Sequence, residues 1–142
     1  MIAILQAATA VPPAGEPPYL FLGIFLAITV VLIAIDLWTG FRGNRRLHVP
    51  FALATVVSFL CAVYFAETVG GYWRFDPTYL WIHLVFAWAG TLLAVLTVLT
   101  GVLHLKNRMG RLWHKRMALL FVVLVLLATG TAFLMFQHGE RL

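Results

Sequence analysis

Charge is what this chain has least of. Only 11% of its 142 residues are Asp, Glu, Lys or Arg, and five of those are acidic, whereas a soluble domain carries about a quarter charged residues. There is one cysteine, Cys61. That excludes an intrachain disulfide, a C-x-x-C metal or redox pair and the C-x-x-C-H attachment of c-type haem, and Cys61 reads as a buried structural residue. The chain also lacks a glycine-rich phosphate loop, a P-loop and an H-E-x-x-H helix, so nothing supports nucleotide binding, and no residue is singled out as catalytic.

What is present is apolar: 63% of the chain. A soluble protein of this length has too little interior to hide so much apolar surface, and a bilayer removes the need. Four uncharged runs, bounded by Asp36, Arg46, Glu67, Asp76, Lys106, Arg116 and Glu140, are each long enough to cross about 30 Å of hydrocarbon at about 1.5 Å per residue. The expected spans are 19–39, 49–69, 79–104 and 115–137. They do not alternate polar and apolar positions as strands of a membrane barrel would. The connections are short, which makes sequential helices antiparallel neighbours. The expected fold is all-α: an integral membrane antiparallel four-helix bundle, one transmembrane domain over 1–142, with the lipid bilayer as its first partner.

The net charge of +5 could suggest nucleic acid, but its placement does not. Eight of ten basic residues fall in two short segments: Arg42, Arg45 and Arg46, then Lys106, Arg108, Arg111, Lys115 and Arg116. The positive-inside rule puts both loops in the cytoplasm and both termini outside, where their blander role is to hold the loops and touch anionic headgroups. Tyr19, Tyr72, Trp73, Tyr79 and Trp81 then mark the outer boundary, and Trp38 and Trp113 the inner one. The N-terminal tail has no basic n-region, and Ala7-Ala8-Thr9-Ala10 is not read as a cleaved signal. The second and fourth spans both open with a histidine beside basic residues, His48 and His114, an echo that fits either internal duplication or chance.

Five histidines are prominent among so few polar residues. Orientation puts His48, His104 and His114 on the cytoplasmic side and His83 and His138 on the outer side. His83 and His104 lie about 31 Å apart along one helix by the standard rise, too far for a shared mononuclear site. Neutral imidazole suits haem iron or copper. His48, His83 and His114 are the main cofactor-binding candidates and His104 a lesser one. The opposing reading is that these are interfacial residues wetted by water and headgroups, and it is preferred for His104 and His138. His83, Ala87, Gly90, Ala94, Thr97, Gly101 and His104 share one face of the third span, a stripe that either admits a close helix neighbour or makes room for a flat cofactor. Asp36 is the one acid within a span, a functional candidate by default, with Arg42, Arg45 and Arg46 near enough in sequence to pair with it. Met109, Met117 and Met135 have no paired spacing of a copper box and read as packing residues.

The pattern Arg45-Arg46-Leu47-His48, then Ser58-Phe59-Leu60 and Tyr64, then Tyr79-Leu80-Trp81-Ile82-His83-Leu84, His114-Lys115-Arg116 and Thr129-Gly130 resembles the four-helix membrane family of formerly unknown function that includes the CtaM cytochrome oxidase assembly proteins. The resemblance covers nearly all of the chain after Pro18 and carries over His48, His83 and His114. The chain departs from the family pattern at Val49-Pro50-Phe51, where basic residues and Met tend to follow the histidine, and at Phe121-Val122-Val123-Leu124, in place of a Pro-Ile-Trp segment. The resemblance implies a bacterial cytoplasmic-membrane protein supporting maturation of a haem–copper terminal oxidase, handling haem or copper transiently. Two other readings stay open. One is a small b-type cytochrome or haem-bearing anchor of a respiratory complex, with haem b held by His48 and His114 or His104 and an outer haem by His83 and His138. The other is a cofactor-free structural subunit.

Overall fold

The computed structural model describes residues 15–106, 108 and 110–142. The tail reading at residues 7–10 and the packing reading of Met109 lie outside the described residues. Four long helices account for most of the rest: α1 (Tyr19–Arg42), α2 (Arg45–Gly70), α3 (Pro77–Leu105) and α4 (Arg111–Gln137), with two-residue strands β1 (Trp73–Arg74) and β2 (Glu140–Arg141). Local chemistry explains where each helix starts and stops. Gly43 takes φ 72°, the left-handed conformation that favours glycine, and its N–H donates to the Gly40 carbonyl at 3.2 Å, ending α1. The Asn44 side chain then accepts from the Leu47 N–H at 3.4 Å and opens α2. Asp76 does the same for α3, accepting from the Thr78 N–H at 2.8 Å, with Pro77 as the first helical residue, where its missing N–H costs nothing. Both α2 and α4 begin in their basic segments, at Arg45 and Arg111, ahead of the apolar runs that start near 49 and 115. Hydrocarbon thickness bounds the run, whereas the helix continues until a glycine or a cap stops it.

The chain divides into two compact units, one reaching to Arg74 and joined by Arg141–Leu142, the other Phe75–Glu140. In the first, α1 packs along α2 as a helical hairpin. Thr29 and Ser58 meet at 2.8 Å between hydroxyl oxygens, and Phe65 stacks against Phe21 and Phe25 at 5.4 and 5.5 Å between centroids. The Trp73 indole N–H donates to the Tyr19 hydroxyl at 2.9 Å. The chain end returns here: β2 pairs with β1, and the Leu142 N–H donates to the Tyr72 carbonyl at 3.0 Å. In the second unit α3 packs along α4. Phe75 meets Phe136 edge-on at 5.1 Å, and Tyr79 stacks on His138 at 4.0 Å. Gly139 sits against Phe75, where a Cβ would come 2.8 Å from the ring and force it to shift.

Burial is inverted relative to a water-soluble protein. Leu20, Trp88, Leu126 and Phe133 are 72%, 69%, 66% and 65% exposed, while Thr29, Thr39, Thr55 and Ser58 are buried. At most 17% of any helix's apolar window is covered by protein. Such a surface is stable facing hydrocarbon and would not stay dispersed in water. Four helices are long and apolar enough to cross a membrane, and the molecule is an all-helical integral membrane protein.

Candidate functional site

Small residues let the histidines in. Thr39-Gly40 lies in the last turn of α1, Thr39 buried, and the His48 ring lies against Gly40: a Cβ there would be 3.2 Å from Cε1 and 3.3 Å from Nδ1. The ring faces Asp36. His48 Nδ1 is 2.8 Å from Asp36 Oδ1 and donates to the Asp36 main-chain carbonyl at 3.2 Å. The N–H aims at the carbonyl, so the buried Oδ1 has the ring beside it at ion-pair distance without an aligned donor. Arginines 42, 45 and 46 were the partners expected for this carboxylate. The hairpin turn at Gly43-Asn44 brings His48 back over Asp36 first, and the long arginine side chains lie exposed at the interface. Arg42 instead covers the Trp38 ring at 4.5 Å, a snorkelling arrangement suited to a membrane boundary.

The second hairpin repeats the cradle. The His114 ring lies against Gly101, whose Cβ would be 3.2 Å from Cε1, and His114 Nδ1 is 3.3 Å from Thr100 Oγ1. The Thr100 hydroxyl is also 3.0 Å from the Thr97 carbonyl, so it can give its proton there and accept from the ring. His104 lies in the same unit, its ring near-parallel to that of His114 with centroids 6.3 Å apart.

His83, nearly two turns into α3, is half-buried against α4. Its Nδ1 donates to the Ala128 carbonyl at 3.0 Å and is 3.4 Å from Thr131 Oγ1, whose proton is committed to the Leu127 or Ala128 carbonyl. The exposed His138 bonds the carbonyl of Leu134 in its own helix at 2.9 Å.

These partners decide a chemical question. A carbonyl or carboxylate oxygen can only accept, so in His48 and His83 the ring proton sits on Nδ1 and, in the neutral ring, the lone pair sits on Nε2; the partner of His114 Nδ1 is a hydroxyl. Metal-ligating histidines are held this way, the distal ring N–H given to a carbonyl or carboxylate so that the other nitrogen faces the metal. The small-residue stripe of α3 is turned inward, Gly90 and Ala94 buried and none of its seven members exposed. At Gly90 and Gly101 the room is taken by Leu124 and by the His114 ring, which favours close helix approach over a flat cofactor at those two points. Among the described residues no cluster of three or more His, Cys, Asp or Glu could hold a metal ion.

The Thr-Gly dipeptides were the part missed in the sequence. Their recurrence ahead of both basic loops was the available signal. The Ala128 carbonyl that fixes His83 has no sequence signal at all. No family model, curated protein or solved structure matches the chain.

Proposed function

We propose that this membrane protein presents histidine imidazoles to haem iron or copper in support of the maturation of a haem–copper terminal oxidase. The observation that carries the ligand part is the proton placement at two of the histidines: His48 and His83 donate through Nδ1 to main-chain carbonyls, which in the neutral ring makes Nε2 the coordinating nitrogen, and in His114 the same Nδ1 is engaged by the Thr100 hydroxyl. The three are the same residues that the resemblance to the CtaM-containing family carries over, and that resemblance supplies the oxidase partner. His104 has a lesser place because the resemblance does not carry it. Charge placement supports an antiparallel bundle in the bacterial cytoplasmic membrane with its basic loops inside and both termini outside.

A second reading, a b-type cytochrome or haem-bearing anchor subunit, is favoured by the same lone pairs and differs in occupancy. A resident haem gives a stoichiometric spectrum, and transient handling does not. The test has two arms. Deletion of the gene should lower haem–copper oxidase activity, and wild-type protein but not the His48→Ala, His83→Ala or His114→Ala variants should restore it. Full haem b occupancy in the purified protein would replace assembly with electron transfer. Unchanged oxidase activity on deletion, together with a flat spectrum, would leave the structural-subunit reading.

A further inference from the structure

Two histidines meet in the second unit. His104 lies in the last turn of α3, which ends at Leu105, and His114 in the first turn of α4, which begins at Arg111. Gly101 precedes His104 by three residues, on the same face of α3. The ring of His114 takes the place a side chain would fill there, with Cε1 3.2 Å and Nε2 3.8 Å from a Cβ built on Gly101. The two imidazole planes are 11° from parallel, with centroids 6.3 Å apart. Rings that stack in contact in this molecule come much closer, as Tyr79 and His138 do at 4.0 Å. Two imidazoles that hold one metal ion between them, each through a nitrogen at about 2.0 Å, have centroids about 6 Å apart. The separation of His104 and His114 suits a shared ion better than a stack.

Haem iron and a bare ion both take two imidazoles in this way, and space separates them. A porphyrin needs a slot between the rings. Here α3 and α4 close on each other, with the His114 ring against Gly101 and its Nδ1 3.3 Å from Thr100 Oγ1. A bare ion needs no slot. Among the described residues no group of three His, Cys, Asp or Glu could hold a metal, which disfavours zinc, a taker of four donors, and tetragonal divalent copper. Monovalent copper is satisfied by two nitrogens in line. Charge favours it too: Lys106, Arg108, Arg111, Lys115 and Arg116 share this segment, and they repel a divalent ion twice as strongly as a monovalent one at the same distance. We infer that His104 and His114 form a two-imidazole site for monovalent copper at the basic-loop end of the second hairpin. In the loaded site Thr100 accepts from His114 Nδ1–H and gives its own proton to the Thr97 carbonyl, so Nε2 ligates. Binding moves no electron. The site deepens the presentation of imidazole to copper proposed above and rests on that reading for its purpose; its ion, ligands and coordination number do not.

The full chain in detergent would be titrated anaerobically with copper(I) against bicinchoninate, a chromophoric copper(I) chelator. One equivalent should resist the chelator in the native protein and in His138→Ala, and should be lost in His104→Ala and in His114→Ala. His104→Met, which keeps a soft donor, should retain it, and excess zinc(II) should not displace it. X-ray absorption of the loaded native protein should show the edge peak of two-coordinate copper(I) with imidazole scattering. That spectrum needs no variant, so it decides the matter if an alanine protein loses its native circular dichroism. Retention of the equivalent in either folded alanine variant, a three- or four-coordinate spectrum, or haemin bound stoichiometrically by this pair overturns the inference. Its failure is separable from that of the oxidase reading. Two-coordinate copper in a protein whose deletion leaves oxidase activity unchanged keeps the site and ends that reading. No bound copper, with oxidase activity lost on deletion, does the reverse.

Discussion

The two hairpins solve one packing problem with different chemistry. Where α1 crosses α2, two hydroxyls meet at 2.8 Å; where α3 crosses α4, a glycine receives a leucine. Lipid tails are as apolar as leucine, so helices in a membrane gain little by hiding apolar surface from it, and they associate through close packing and interhelical hydrogen bonds. At this crossing the first unit uses the second device and the second unit the first. The same contrast recurs at the histidines, where His48 faces a carboxylate and His114 a hydroxyl. At these two points the first hairpin has the more polar partner, and it should suffer more when that partner is removed.

The largest expected difference comes from the histidines themselves. His48→Ala leaves the buried Oδ1 of Asp36 without the ring beside it and should cost about 2–3 kcal/mol, whereas His114→Ala takes a partner from a hydroxyl that also has a carbonyl in reach and should cost about 1 kcal/mol. Equilibrium unfolding in mixed detergent micelles, followed by circular dichroism, measures both, and equal losses would dissolve the contrast. Next in size is Gly101→Leu or Gly40→Leu. Each forces a side chain into a histidine ring already at 3.2 Å from a Cβ and should destabilise by about 1–3 kcal/mol, similarly in both units. Ser58→Ala removes the interhelical hydrogen bond and should cost about 0.6–1.7 kcal/mol in the same assay. Gly90→Ala sharpens the comparison from the other side. Its Cβ would be in ordinary contact with Leu124, so the variant should be more stable by about 0.5–1 kcal/mol through lost unfolded-state freedom. A destabilised Gly90→Ala protein would mean that the α3–α4 crossing is tighter than described.

How much of this could be read from the residues alone differs by kind of interaction. The four helices were legible because hydrocarbon thickness acts on every residue of a run, and the runs between Asp36, Arg46, Glu67, Asp76, Lys106 and Arg116 are uninterrupted. Helix ends were legible where a special residue acts locally, as at Pro77. They were misjudged at Arg45 and Arg111, because a helix does not stop where the hydrocarbon does. The candidate histidines stood out by rarity, but their partners did not. Asp36 lies 12 residues before His48 and was expected to take an arginine, since sequence distance says nothing about which side chain a tight turn at Gly43-Asn44 folds back first. Ala128 acts through its carbonyl, which every residue has.

The account turns on which nitrogen carries the proton. Nitrogen-15 spectra of ring-labelled histidine in lipid bilayers, assigned with the His48→Ala, His83→Ala and His114→Ala variants, distinguish a protonated from an unprotonated ring nitrogen directly. The expected result is a protonated Nδ1 and a lone pair on Nε2 at His48 and His83. Free imidazole in water prefers the opposite tautomer, so finding Nε2–H at these positions would show that the nitrogen assigned to the metal is already occupied by a proton, and would contradict the ligand role.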